Sequence, residues 1–142
     1  MIIANIETFP LRIPFKSGTQ AAASAWGDKG LPVADSLLVK VTTDQGLEGW
    51  GETFGFRAVS SAQLAIDELI APLCIGRDAT QIGPLMLAVQ RKLHVFGRSG
   101  PLFYGISAVD IALWDIAGRL PVCQSIGFSA VVALLTCPAM RA

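Results

Sequence analysis

Two carboxylates in one short stretch, Asp110 and Asp115, are the residues best placed by type to exchange protons. The stretch, Gly105 to Arg119, reads as a helix with small residues on one side and large apolar ones on another. At 3.6 residues per turn, a separation of five turns two side chains about 140° apart. The two acids cannot form one carboxylate pair. An acid–base dyad is rejected, and each is expected to cap a backbone or pair with Arg or Lys. Glu52 ends a predicted strand beside a loop, where a structural ion pair is expected over a place in a substrate pocket. His94, near Arg91 and Lys92, has no second ligand or nucleophile close in sequence and reads as a helix-end residue favoured by the dipole. Gly97-Arg98-Ser99-Gly100-Pro101 has the composition of a helix-start anion cradle, but such residues ordinarily mark a turn. Cys74, Cys123 and Cys137 are an odd number with no C-x-x-C spacing, so small core residues in a reducing compartment are expected. Neither the Gly-x-Ser-x-Gly elbow nor the phosphate-binding loop pattern occurs.

The background composition narrows the choice of partners. The 142 residues suit one domain, and they are 52% hydrophobic against 15% charged. That is apolar for a small domain, so either lipid or another protein surface should cover part of it. No run reaches the roughly 18 apolar residues of a spanning helix. Ile126 to Leu135 is too short and is followed by Pro138, and Met1 to Glu7 lacks the basic start of a secretory signal. A cytoplasmic protein away from membranes is expected. Eleven basic residues balance eleven acidic ones without a basic run, which removes the electrostatic basis of nucleic-acid binding.

The elements that must position these residues are an early sheet and later helices. Ile2, Ala4, Ile6 and Thr8 alternate with Ile3, Asn5, Glu7 and Phe9, and Pro10 and Pro14 confine that strand to an edge. Residues Lys16 to Leu31 form a Gly/Ser/Ala-rich loop around Trp26. A second strand spans Ser36 to Thr43, with Leu37, Val39 and Val41 on one face. Asp44-Gln45-Gly46 turns the chain into a third strand, Leu47 to Glu52. Ser60 with Gln63 suggests a capping box, and Ile66, Leu69, Ile70 and Leu73 a helical stripe that Pro72 disturbs and Gly76 ends. Helices over Ile82 to Leu93 and Pro101 to Gly118 complete the pattern. The fold class is α+β: a three-stranded antiparallel meander followed by a bundle of about three helices. Gly49-Trp50-Gly51 reads as a strand whose glycines admit another backbone, with Trp50 as a packing anchor.

Two motifs together carry a resemblance. One runs Val39-Lys40-Val41-Thr42-Thr43-Asp44-Gln45-Gly46-Leu47-Glu48-Gly49-Trp50-Gly51-Glu52. The other, some fifty residues on, is Ser107-Ala108-Val109-Asp110-Ile111-Ala112-Leu113-Trp114-Asp115-Ile116-Ala117-Gly118-Arg119. In this order and separation they resemble the N-terminal capping domain of the mandelate racemase/muconate-lactonizing branch of the enolase superfamily, over roughly Met1 to Arg119. In that family a catalytic β/α barrel follows, which needs about 250 residues. Only 23 residues follow Arg119 here. The chain also departs from the family there. Leu120-Pro121-Val122 and Ile126-Gly127 come about one helical turn early, and Pro138 to Ala142 does not continue a barrel strand after Leu134 to Cys137. Residues 1–119 are therefore expected to be the cap, and 120–142 an aberrant tail left by a shifted frame, a deletion or a truncated gene.

The resemblance implies a division of labour. The barrel of such enzymes supplies three carboxylates for Mg²⁺ and the Lys or His bases that remove a proton next to a substrate carboxylate, the reaction of racemases, dehydratases and cycloisomerases. The cap supplies two loops that shape the pocket and exclude water. Those loops match Phe15 to Lys29 and Glu52 to Ser60. Within them Trp26, Phe54, Phe56 and Arg57 are the candidate substrate contacts, Arg57 for an anionic group. The chain itself is expected to hold no catalytic residue, metal ligand or cofactor, with Mg²⁺ belonging to the full-length family. It meets a small carboxylate substrate only together with the barrel. Apolar surface left uncovered favours self-association. A standalone binding or assembly module and one half of a split enzyme are the alternatives. The first would carry polar residues on its barrel-facing stripe, which are not seen, and the second would co-purify with a barrel chain.

Overall fold

The computed structural model describes residues 1–14, 33–54 and 58–120. Strands β1 (Ile3–Pro14), β2 (Val33–Thr43) and β3 (Glu48–Phe54) form one antiparallel sheet in the order β1-β2-β3. β2 is the central strand, and its alternation is clean because only one face is buried. Leu37, Val39 and Val41 are fully covered. Gly46, at φ 76°, makes the tight turn into β3.

β1 departs from simple alternation. Ile3 pairs with Thr43 and Asn5 with Thr42, so two residues of β1 oppose one of β2. This bulge moves Ile3 to the inner face beside Ile6, and both are buried. The expected grouping of Ile2 and Ala4 with Ile6 is thereby corrected. Both prolines sit on this edge strand, where a missing N–H is tolerated.

The helices follow in three rods. The first is α1 (Val59–Ala65), a π-helical turn (Ile66–Ile70) and α2 (Ala71–Cys74) in continuous succession. The Ala71 N–H reaches the Ile66 carbonyl, five residues back, immediately before Pro72, which has no N–H to give. Widening the helix accommodates the proline that was expected to disturb this stretch. Ala62, Ile66, Ile70 and Cys74 are its fully buried row, while Leu69 and Leu73 are half-buried. The expected capping box is absent. Ala58 is the N-cap without a side-chain bond, and Gln63 instead donates from α1 to Thr8 Oγ1 of β1 at 3.1 Å.

The other two rods are α3 (Ile82–Lys92), followed by a 3-10 turn (His94–Phe96), and α4 (Pro101–Arg119). Gly97 and Gly100, at φ 83° and 75°, make the turn into α4. His94 is exposed, and its Nδ1 donates to the Arg91 carbonyl oxygen at 2.8 Å, as suits a helix-end residue. Among the described residues no helix is long and apolar enough to cross a membrane.

α4 lies on the inner face of the sheet with Ile106, Val109, Leu113 and Ile116 in the core. A Cβ on Gly49 would fall 2.1 Å from the Ala112 carbonyl oxygen, and one on Gly51 1.9 Å from that of Ala108. Both glycines therefore exist to let strand and helix touch backbone to backbone, as their spacing predicted. Trp50, expected as a packing anchor, packs on the outer face and not in the core. It points from the outer face of the sheet, 38% exposed, its ring 5.5 Å from that of Phe9.

Candidate functional site: the loop end of the sheet

The two ends of the sheet differ. At the turn end, Ile3 N–H donates to the Arg77 carbonyl and Gly76 N–H returns a bond to Ile3, both at 2.9 Å, while Ile2 N–H meets Asp44 Oδ1 at 2.8 Å. Asp78 lies there beside the Met1 amino group, its carboxyl held below the usual range first by the Thr80 N–H and then by the Thr80 hydroxyl. At the other end β1 finishes at Pro14 directly opposite the start of β2 at Val33, and β3 finishes at Phe54 opposite Ser36. The two segments expected to hold substrate contacts, 15–29 and 52–60, are thus anchored at one end of one sheet. A shallow cavity of about 310 Å³ opens there, lined by Pro10, Leu11, Arg12, Asp35, Val59 and Ser60. Arg12 Nε donates to Asp35 Oδ1 at 3.1 Å across the β1–β2 pair.

Of the four expected contacts, Phe54 is the last residue of β3. Trp26, Phe56 and Arg57 lie outside the described residues, as do Cys123, Cys137 and residues 121–142. Glu52 is exposed and accepts a hydrogen bond from Ser36 Oγ. Among the described residues it has no ion pair, and the neighbouring Arg57 lies outside them. Next to it Thr53 is buried, and its Oγ1 has no hydrogen-bond partner among the described residues.

The two helix acids have separate fates. Asp115 does both jobs expected of it. It accepts from the Trp50 N–H at 2.8 Å, closing an outward-facing donor of edge strand β3, and pairs with Arg119 Nη2 at 2.7 Å. Asp110 has neither a cap nor a cation among the described residues, and burial pushes its carboxyl above the ordinary aspartate value. Sequence reasoning missed a cluster on the outer sheet face. Lys40 Nζ sits 2.7 Å from Glu7 and 3.7 Å from Glu48, over the Phe9 and Trp50 rings at 5.8 and 5.9 Å. The bond to Glu7 chiefly raises the Lys40 pKa. Cys74 is buried, and loss of hydration pushes its thiol up to about 11, so it behaves as a core residue. Among the described residues no three His, Cys, Asp or Glu side chains come together in a way that could hold a metal ion. The described residues therefore do not fit a Mg²⁺ site.

An antiparallel meander backed by a helix in backbone contact, with its loops at one end, defines an enolase-type N-terminal domain. Residues 29–127 match the mandelate racemase / muconate lactonizing enzyme N-terminal domain, and this chain belongs to that family. It is 38% identical over 110 residues to a D-galactonate dehydratase family member from Streptomyces bingchenggensis, a match covering 74% of this chain and 26% of the relative. It is 34% identical over 120 residues to arabinonate dehydratase from Saccharolobus solfataricus, covering 83% and 31%. Among solved structures, a racemase from Streptomyces coelicolor with bound magnesium superposes with a TM-score of 0.72 at 30% identity, over 82% of this chain and 32% of that one. The chain thus spans about a quarter to a third of the length of these relatives.

Proposed function

We propose that residues 1–119 are the specificity cap of a cytoplasmic enzyme that removes a proton next to a substrate carboxylate. The observation that carries this is the common anchorage of both candidate loops at one end of a sheet whose opposite end is pinned by backbone hydrogen bonds. Loops held that way can close over a substrate without moving the scaffold. Trp26, Phe54 and Phe56 would exclude water from the reacting centre, and Arg57 would pair with an anionic group of the substrate. Mg²⁺ and the bases would come from the barrel that the cap covers. The relatives' names, two dehydratases and a racemase, support a small carboxylate as the substrate class.

By themselves the 142 residues turn nothing over, and their uncovered apolar surface makes them self-associate. Sedimentation velocity across a concentration series reads the second point, and a monomer at all concentrations would contradict it. The functional test replaces the matching segment of the Saccharolobus arabinonate dehydratase with residues 1–119. The hybrid should dehydrate sugar acids with an altered preference that Arg57→Ala abolishes. Deuterium exchange next to a carboxylate by the 142-residue chain alone, with Mg²⁺ present, would overturn the proposal.

A further inference from the structure

α4 runs antiparallel to β3, because Gly49 faces Ala112 and Ile116 while Gly51 faces Ala108. From that contact, the strand from Gly51 to Phe54 and the helix from Ala108 back to Pro101 each cover about 10 Å. The turn between α3 and α4, residues 93–100, therefore lies at the loop end of the sheet, level with the end of β3. Gly97 and Gly100, both at positive φ, set its path. This turn and the last residues of α3 carry cations that the described domain leaves unmatched. Arg12, Lys40 and Arg119 each pair with an acid. Arg91, Lys92 and Arg98 are exposed and have no ion pair among the described residues. No Asp or Glu occurs between Asp78 and Asp110, so no neighbour in the chain offsets them. Of the described acids at this end, Asp35 is already paired with Arg12. Glu52 bonds Ser36 on the outer face of the sheet, the side away from α4.

We propose that the α3–α4 turn is an electrostatic entry element, whose unpaired Arg91, Lys92 and Arg98 draw a sugar-acid anion to the loop end. The inference rests on the capping role proposed above and adds a third segment to the two loops. Unpaired cations gathered beside a site raise the local concentration of anions and hold a bound anion more tightly. They act through their field, so Arg98 need not touch the substrate, and its work differs from the direct pairing given to Arg57. Two consequences follow from that mode of action. The effect depends on the charge of the side chain more than on its shape, and it fades as salt shortens the reach of the field to about 10 Å or less. The names of the relatives, D-galactonate and arabinonate dehydratases, indicate the class of anion.

The experiment measures kcat and KM for arabinonate, at low and high salt, in the hybrid that carries residues 1–119 on the Saccharolobus arabinonate dehydratase. Combining Arg91→Gln, Lys92→Gln and Arg98→Gln should raise KM at least fivefold at low salt, leave kcat within twofold, and lose its effect at high salt. Arg98→Lys keeps the charge and should match the parent hybrid. Arg77→Gln, at an exposed cation of the opposite end, should do the same. A triple variant with unchanged KM and salt dependence overturns this inference, while sensitivity to Arg57→Ala leaves the capping role standing. A hybrid that folds but turns nothing over overturns both. The full 142-residue chain supplies a second reading, which decides the matter if the hybrid does not fold. His94 is the one histidine of the chain and sits in the turn, so its imidazole gives a single magnetic-resonance signal. At constant pH that signal should move on adding arabinonate, stay still on adding the neutral arabinitol, and move less in the triple variant. A His94 signal that ignores arabinonate, or that responds equally in the triple variant, overturns the inference.

Discussion

The sheet-facing and outward sides of α4 are one helix under two different rules. On the inner side Ala108 and Ala112 meet Gly49 and Gly51, and no space remains for a methyl group on either strand position. On the outer side Tyr104, Ile111 and Trp114 keep 37%, 46% and 61% of their surface exposed. Removing side chains brings two backbones together and fixes the angle at which helix and strand cross. The part of a large side chain left in water adds little to the isolated fold. The inner side therefore holds α4 on the sheet, and the outer side contributes less to that packing.

The sharpest way to break this contrast is Gly51→Ala. The new Cβ would meet a backbone oxygen, which cannot swing aside as a flexible side chain can, so helix and strand must separate. A loss of about 3 kcal/mol or more is expected in chemical denaturation. A neutral result would mean that the close approach is not what holds α4 on the sheet. Asp115→Ala comes next. It leaves the Trp50 N–H without its acceptor and removes the Arg119 pair, but both are partly solvated. A loss of about 1 kcal/mol is expected, together with faster amide exchange at Trp50. Thr53→Val should act in the opposite sense. It replaces a buried hydroxyl that has no partner among the described residues with a methyl of similar shape, and a gain of about 1 kcal/mol in the same denaturation assay would confirm that the hydroxyl has no hidden partner.

Much of the inner side was legible in the sequence. Leu37, Val39 and Val41 announced themselves because a central strand buries one face, and Gly49-x-Gly51 announced the close approach of another backbone. The same pattern held an unused signal. If both glycines face the helix, Trp50 between them must face away. Three features depend on partners distant in sequence or on an extra residue, which no local pattern reports. The β1 bulge inverted the faces of Ile2 and Ile3, Gln63 was taken by Thr8 instead of its own helix, and the π turn absorbed Pro72. The candidate site was legible only in outline. Strand order alone put both loops at one end, and of the four named side chains only Phe54 falls at a described position, the end of β3.

The smallest expected effect tests the outward side. Burial raises the Asp110 carboxyl above its ordinary value, so the folded chain holds that proton more tightly than the unfolded one. The sign follows from linkage. Folding is favoured while Asp110 is protonated, and stability declines as pH rises from the unfolded value through the higher folded one, then levels off. Asp110→Asn removes the titration, so it should leave stability unchanged at the acid end and raise it slightly at neutral pH. Denaturation midpoints at several pH values measure this. An Asn variant less stable than the parent at neutral pH would show that Asp110 already has a favourable partner within the chain.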